Sequence, residues 1–378
     1  MQIDNIRHRF PIFKSKTFIN SCSKGALSVD VQDAYADYLR DWAELGSPWE
    51  HWVEQLEVFR GLVADLLNAE TDEIGVTTSV SASVNALASA LDFSGERNEV
   101  VVDDFAFPTT AQIWHAQERR GAIIKHVPER QHEIPLEFYE HAITDKTLIL
   151  SLTHVCYRNG VRQDVAEIIK LAHEKGALVL LDSYQLLGTM PFDVMAARPD
   201  FLVGGTLKYL LGSSGLAFIY SRKSLIPTLF PQTSGWFSQE NIFAMDIYQN
   251  DPALSARRFE AGTPPNPNLY AGIAGLKLVQ EIGLETIDAH RLETTGAIKE
   301  GAQKHGFRLV TKIDPRKSGP MITLASNDPA KLTEQLAEDG IIVSHRENNL
   351  RLSPHIYNNL ADVDRLMAGL VKHRVLLS

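Results

Sequence analysis

The chain lacks most of the features that mark exported, membrane-bound or nucleic-acid-binding proteins. It has only two cysteines, Cys22 and Cys156, in 378 residues. That is too few for a disulfide framework or a cysteine-rich zinc site, and it fits a reducing cytoplasm. Basic residues are outnumbered, 37 Lys+Arg against 47 Asp+Glu for a formal net charge of −10, so neither nucleic acid nor an anionic membrane surface is an expected partner. Nowhere do about 18 apolar residues run together, and no long apolar stretch follows the charges of MQIDNIRHRFPIF; a soluble, unexported chain is expected. Missing too are G-x-G-x-x-G after a strand, G-x-x-x-x-G-K-[ST], G-x-S-x-G and H-E-x-x-H, which removes the best support for nucleotide-binding, serine-hydrolase and zinc-protease readings.

What is present is ordinary for a globular enzyme: 44% hydrophobic and 22% charged residues, with a length that implies two domains or one large unit and a smaller appendage. From about residue 100, β-branched runs alternate with stretches of helical length, the pattern of crossover units that build a parallel sheet. The expected strands are 100–103, 123–127, 148–153, 177–182, 201–204 and 216–221. Expected helices include 110–120 and 164–175, the second closed by Gly176. Runs such as ALVLL are apolar on both faces and need helices on both sides. Ahead of the sheet, Val31, Ala34, Tyr35, Tyr38, Leu39 and Trp42 recur at helical spacing behind Ser28, a capping residue, and a second helix spans about 48–68. After residue 260 the pattern shifts to a proline-rich loop, a helix over 269–282 and strands at 321–324 and 340–343. The expected fold is α/β: an N-terminal segment 1–27, a large domain 28–258 with a mostly parallel sheet, and a smaller C-terminal α+β domain 259–378.

Three chemistry-bearing features stand in order. Asp182 ends ALVLLD and Lys208 follows FLVGG, so both fall at the carboxyl edge of the sheet, where open α/β folds place ligands. A lysine among apolar residues has its charged form disfavoured, which frees the amine to react with an aldehyde. Taken singly, the lysine reads first as a surface strand end, and the aspartate equally as a cap. Earlier, in VTTSVSASVNALASAL, Thr77, Thr78, Ser79, Ser81 and Ser83 precede and open a helix, offering hydroxyls and free N–H groups at its positive end; this is a phosphate cradle or an ordinary serine-rich cap. Cradle, strand-end aspartate and strand-end lysine are together the ingredients of a pyridoxal phosphate site.

With these motifs the sequence resembles the fold-type I pyridoxal phosphate enzymes of aminotransferase class V, which hold cysteine desulfurases, kynureninases and isopenicillin N epimerase. GGTLKYLLGSSG resembles the Schiff-base segment, implying that Lys208 holds pyridoxal 5′-phosphate and moves protons. LVLLDSYQ implies that Asp182 pairs with the ring nitrogen and Gln185 with the ring hydroxyl, while Ser79, Val80, Ser81, Thr206 and Trp236 are implied cofactor contacts. RRFEAGTPP nominates Thr263 as a residue reaching a dimer partner's phosphate, so a homodimer is expected. LRLSPHIYNN implies that Arg351 clamps the substrate α-carboxylate, a task suited to a bidentate guanidinium, with Tyr157 a further substrate contact. FPTT would stack Phe107 on the ring.

FPTT, LTHVCYRNG and SGWFSQ point toward the kynureninase branch, yet Leu207 stands where that branch has a tyrosine. No cysteine follows Cys156 to relay sulfur, and Cys156 itself reads as a packing residue. The expected activity is therefore an aminotransferase acting on a small or medium amino acid. A β-carbon lyase is the alternative, with an epimerase or a catalytically silent binding protein behind it. Substrate selectivity is expected from loops at 21–26, 157–159 and 236–239.

Overall fold

The computed structural model describes residues 4–378. Its strands are β1 (Thr17–Phe18), β2 (Ile74–Thr77), β3 (Glu99–Asp103), β4 (Ile123–Val127), β5 (Thr147–Thr153), β6 (Leu178–Asp182), β7 (Phe201–Gly205), β8 (Ala217–Ser221), β9 (Ile322–Ala325), β10 (Ile341–Ile342), β11 (Ser344–Arg346) and β12 (Asn349–Leu352). Seven of them form one sheet in the order β2-β8-β7-β6-β5-β3-β4. The run β4-β3-β5-β6-β7 is parallel, and β8 is reversed against both β7 and β2.

Two-sided burial explains why these short apolar runs become strands. Val100, Val102, Ile149, Leu180, Phe201 and Val203 pack on one face with Val84, Leu87 and Trp114. Their neighbours Val101, Leu150, Val179, Leu181 and Leu202 pack on the other with Phe59, Val63, Ile168 and Leu269. That alternation is the two-residue period of a strand covered by helices on both sides.

The carboxyl ends of β2, β3, β5, β6 and β7 open onto the same edge, and because β8 is reversed, the residues leading into it lie there too.

The helix Asn266–Ile282 packs against Val29–Leu45 and Trp49–Leu67, and its Leu269, Ile273 and Leu276 belong to the sheet's own core. The packing thus carries the large unit past residue 259. A second core joins Ile298, Ile322, Leu324, Leu336, Leu352 and Leu366 with Ile19 from the N-terminal segment. Here β9, β11 and β12 form a three-stranded antiparallel sheet, and β1 pairs in parallel with β10.

Several sequence expectations shift. Expected strand 340–343 is the pair Ile341–Ile342, followed by a hairpin of β11 and β12. Helix 110–120 is Pro108–Ala116 plus one 3-10 turn. Ser28 Oγ caps the first long helix by accepting the Val31 N–H at 3.2 Å. Of the stripe behind it only Val31 is buried, and Leu39 and Trp42 are 58% and 55% exposed.

The segment after the sheet is fastened by a buried ion pair. Arg60 Nη1 donates to Glu260 at 2.6 Å, and the same Glu260 oxygen accepts the Val76 N–H of β2 at 2.9 Å. Removing one partner of such a pair leaves an uncompensated buried charge. Glu260→Ala is therefore expected to cost about 3–5 kcal/mol, read as a lowered urea midpoint at unchanged slope.

Candidate active site

A cavity of about 270 Å³ lies at the carboxyl edge of the large sheet. Ser79, Val80 and Ser81 follow β2, Phe107 follows β3, Tyr157 follows β5, Asp182 and Gln185 lie at and after the end of β6, and Lys208 follows β7; all line it. Eight of the twelve residues nominated from the sequence are thus in one space.

Ser79 starts the helix Val80–Ala90, its Oγ accepting the Ala82 N–H at 3.0 Å. The Val80 and Ser81 N–H groups are among the first-turn donors that an α-helix leaves without an internal partner. Thr77 and Ser83, also in the expected cradle, are instead bonded to each other at 2.7 Å. Ser81 Oγ meets Thr109 Oγ1 at 2.8 Å, bringing a further hydroxyl to the cavity wall.

Among the described residues the Lys208 amine has no carboxylate within 4.0 Å. Burial lowers its pKa to about 8, against a smaller raising influence from Cys22 and Asp182 and a further lowering from Arg351 and Arg346. Its Nζ stands 4.4 Å from the centre of the Tyr184 ring and 5.8 Å from that of Phe107. Tyr184 was not singled out by the sequence. Its only signal is its place inside the D-S-Y-Q segment. Burial, with Asp182 next, lifts its hydroxyl to about 12, so it stays neutral.

Asp182 Oδ1 accepts the Tyr184 N–H at 3.0 Å, and burial raises the carboxyl above its ordinary value. Gln185 donates to the Cys22 carbonyl at 3.2 Å while its Oε1 is buried without a partner. A pyridine ring with a protonated nitrogen and a hydroxyl would supply the two things these side chains lack: a counter-charge for Asp182 and a donor for Gln185. The residues present therefore fit pyridoxal phosphate.

Arg351 stands beside the cavity, at 3% exposure. Its guanidinium donates to the Tyr157 carbonyl, Ser23 Oγ and Ser344 Oγ, each at 3.0 Å, and its Nε is buried without a partner. Among the described residues no carboxylate lies within 4.0 Å of it. A buried guanidinium held only by neutral oxygens is a receptor for an anion.

Three nominated residues lie elsewhere in the single chain. Thr206 sits behind the wall, its Oγ1 donating to the Ser213 carbonyl at 2.7 Å. Trp236 packs edge-on against Trp49 and Phe237. Thr263 is exposed in its loop. Cys156 is buried with Phe105 and Val161, and burial pushes its thiol up to about 11, far from a nucleophile's range.

The lysine loop is clamped from two sides. The Gly25 N–H donates to the Leu207 carbonyl at 2.9 Å, and a Cβ at Gly25 would come within 2.4 Å of the Lys208 carbonyl oxygen. His355, buried and held neutral by that burial with its pKa near 4, bonds through Nε2 to the Tyr209 carbonyl at 2.8 Å.

With this geometry in view, comparison with known proteins is decisive: the family described as Aminotransferase class-V matches residues 26–366. The chain belongs to aminotransferase class V. Among class V relatives, the uncharacterized aminotransferase YcbU of Bacillus subtilis (strain 168) is 35% identical over 94% of this chain and 94% of its own length. Kynureninase of Geobacillus thermodenitrificans (strain NG80-2) is 26% identical over 93% of this chain and 87% of that protein. In fold, the apo cysteine desulfurase of Thermococcus onnurineus NA1 matches with a TM-score of 0.88 at 21% identity, covering 100% of this chain and 98% of that one. The class V fold-type I architecture expected from the sequence is the one observed.

A pH prediction follows from Lys208. Its folded pKa lies below its unfolded one, so burial of the ammonium destabilises the chain below about pH 8, and the penalty is relieved as pH rises toward 10.5. Trapping of pyridoxal phosphate by borohydride at position 208 of cofactor-free protein should rise with pH around a midpoint near 8. Asp182→Asn, by removing a charge that favours the ammonium, should move that midpoint lower. A midpoint at the ordinary lysine value would contradict the desolvated site.

Proposed function

We propose that the chain is a pyridoxal phosphate enzyme that works at the α-carbon of an amino acid, and that its reaction is transamination. The observation that carries this is the desolvated Lys208 amine in one cavity with Asp182, next to the anion receptor Arg351. The cofactor, when bound, supplies an electron sink for charge developing at the α-carbon.

The chain's own residues then have separable tasks. Val80 and Ser81 N–H groups and the Ser79 and Ser81 hydroxyls hold the phosphate at the helix N-terminus. Asp182 keeps the proton on the ring nitrogen, Gln185 Oε1 accepts from the ring hydroxyl, and Phe107 covers a ring face. Arg351 binds the α-carboxylate, and Tyr157, whose carbonyl orients that guanidinium, borders the bound amino acid. Lys208 Nζ takes the α-proton and returns it, a role open to an amine whose pKa is near 8. Transamination needs no acid or base beyond Lys208, and Leu207 beside it has no proton to give. A β-carbon lyase is the second reading, favoured by the 26% identity to kynureninase.

The working unit we propose is a cytoplasmic homodimer. Both cysteines are free and buried, as suits a reducing compartment. Phe230, Phe243, Met245, Ile247, Tyr248 and Leu254 are 59–92% exposed, more apolar surface than a lone chain ordinarily leaves in water. The strand of chain at Gly235–Phe237 is bonded to Ala261 beside Thr263, so a partner covering this patch would also meet Trp236 and Thr263.

Two tests separate these claims. Wild-type protein should show a visible cofactor band lost on borohydride reduction. Lys208→Ala should abolish that reduction-sensitive band and lower turnover at least about 1,000-fold. With a keto acid present, the amino group should appear on the acceptor; ammonia and pyruvate released without an acceptor would instead establish the lyase. For the dimer, light scattering of wild type should give twice the 42.1 kDa chain mass, and the double variant Ile247→Asp, Tyr248→Asp should shift it to one.

A further inference from the structure

The hairpin that carries Arg351 presents a second arginine on the same face. Ser344 pairs with Arg351 and Arg346 pairs with Asn349 across β11 and β12. Side chains two apart on a strand share a face, so Ser344, Arg346, Asn349 and Arg351 all look the same way. Ser344 and Arg351 fix that direction, since both reach Ser23 and Arg351 also reaches the carbonyl of Tyr157, which lines the cavity. The opposite face is occupied, with His345 bonded to Thr333 on the helix Pro329–Glu338 at 3.1 Å.

Arg346 is exposed, and among the described residues no carboxylate lies within 4.0 Å of it. The nearby Glu347 is taken by Arg158 at 3.2 Å, which is bonded to Glu129 as well. Arg158 is thus neutralised twice while Arg346 keeps its charge. That charge is felt inside the site, for it adds to the burial that disfavours the protonated form of Lys208 and partly offsets the burial that raises the Tyr157 hydroxyl. Diagonal neighbours on such a hairpin sit about 7–8 Å apart at their backbones, within the span of two arginine side chains closing on one small dianion.

We propose that Arg346 is a specificity-determining residue that binds a side-chain carboxylate, making acidic amino acids the substrate class. This rests on the pyridoxal phosphate reading above and adds to it the identity of the side chain. Arg351 takes the α-carboxylate and Arg346 the distal one, each through charge-assisted hydrogen bonds. Neutral amino acids of equal size would engage Arg351 alone.

The test uses holoenzyme and two readouts. The first is a spectral titration with L-glutamate, L-aspartate, L-glutamine and L-norvaline. Wild type should reach half-saturation with the two acidic amino acids at roughly ten- to a hundred-fold lower concentration than with the neutral ones. Arg346→Gln should erase that difference, with Arg346→Lys restoring part of it. The second readout is calorimetric binding of glutarate against butyrate, which involves no chemistry at the cofactor; glutarate should lose the same factor in Arg346→Gln. Equal half-saturation for acidic and neutral amino acids in wild type, or an Arg346→Gln effect that is uniform across all four, overturns the inference while leaving the pyridoxal phosphate reading intact. Failure of every amino acid to perturb the spectrum would instead sink that reading, and this inference with it.

Discussion

Taking one lysine ammonium out of water is the constraint around which the rest of the molecule is arranged. An amine in bulk solvent is almost wholly protonated at neutral pH and inert as a nucleophile. At the end of β7 the Lys208 side chain is surrounded by Tyr184, Phe107 and apolar wall, so its pKa falls to about 8. The cost of that desolvation is borne by the surrounding packing, chiefly the parallel strands whose two faces are filled with aliphatic side chains. Without that filling the carboxyl ends of β2, β3, β5, β6 and β7 would not converge, and no cavity would form.

Local and global electrostatics point in opposite directions. The chain is acidic as a whole, yet this cavity holds Lys208 and the positive end of the Val80–Ala90 helix, and the hairpin β11–β12 adds Arg351 and Arg346. Asp182 is the carboxylate that lines the cavity, and it sits at the end of β6 away from the hairpin. Asp182 and Lys208 thus share the sheet edge, while Arg351 and Arg346 stand on the β11–β12 hairpin of the C-terminal unit. An incoming carboxylate would be drawn toward those two arginines before any specific contact forms.

The large sheet was legible because strands buried on both faces write unbroken β-branched runs into the sequence. β2 was not, since IGVT is short, carries a glycine, and earns its place only through antiparallel pairing with β8. The β11–β12 hairpin escaped notice for a related reason: Ser-His-Arg is polar because one face looks into the site. In the helix behind Ser28 the apolar period was real, but only part of it is covered: Tyr35 and Tyr38 meet the helix Asn266–Ile282, while Leu39 and Trp42 stay exposed. At the site, Lys208, Asp182 and the Ser79 cradle could be read from order along the chain, because each sits at a strand or helix end. Trp236 and Thr263 lie on loops that the fold of one chain does not carry to the cavity. Thr77 and Ser83 looked like cradle hydroxyls, yet their side chains face each other, a preference that no spacing rule encodes. Tyr184 had a motif around it but nothing to distinguish a ring beneath an amine from a packing aromatic.

The bond from His355 to the Tyr209 carbonyl reaches beyond its own neighbourhood. It runs from the C-terminal hairpin region straight to the residue after Lys208, and with the Gly25 contact it ties three distant stretches of chain into one strut. The stretch that carries Arg351 and the stretch that carries Lys208 are thus joined directly rather than only through their separate cores. Tyr157 joins that strut too, through the bond from Arg351 to its carbonyl, and its ring meets Phe107 edge to face at 5.0 Å on the cavity wall.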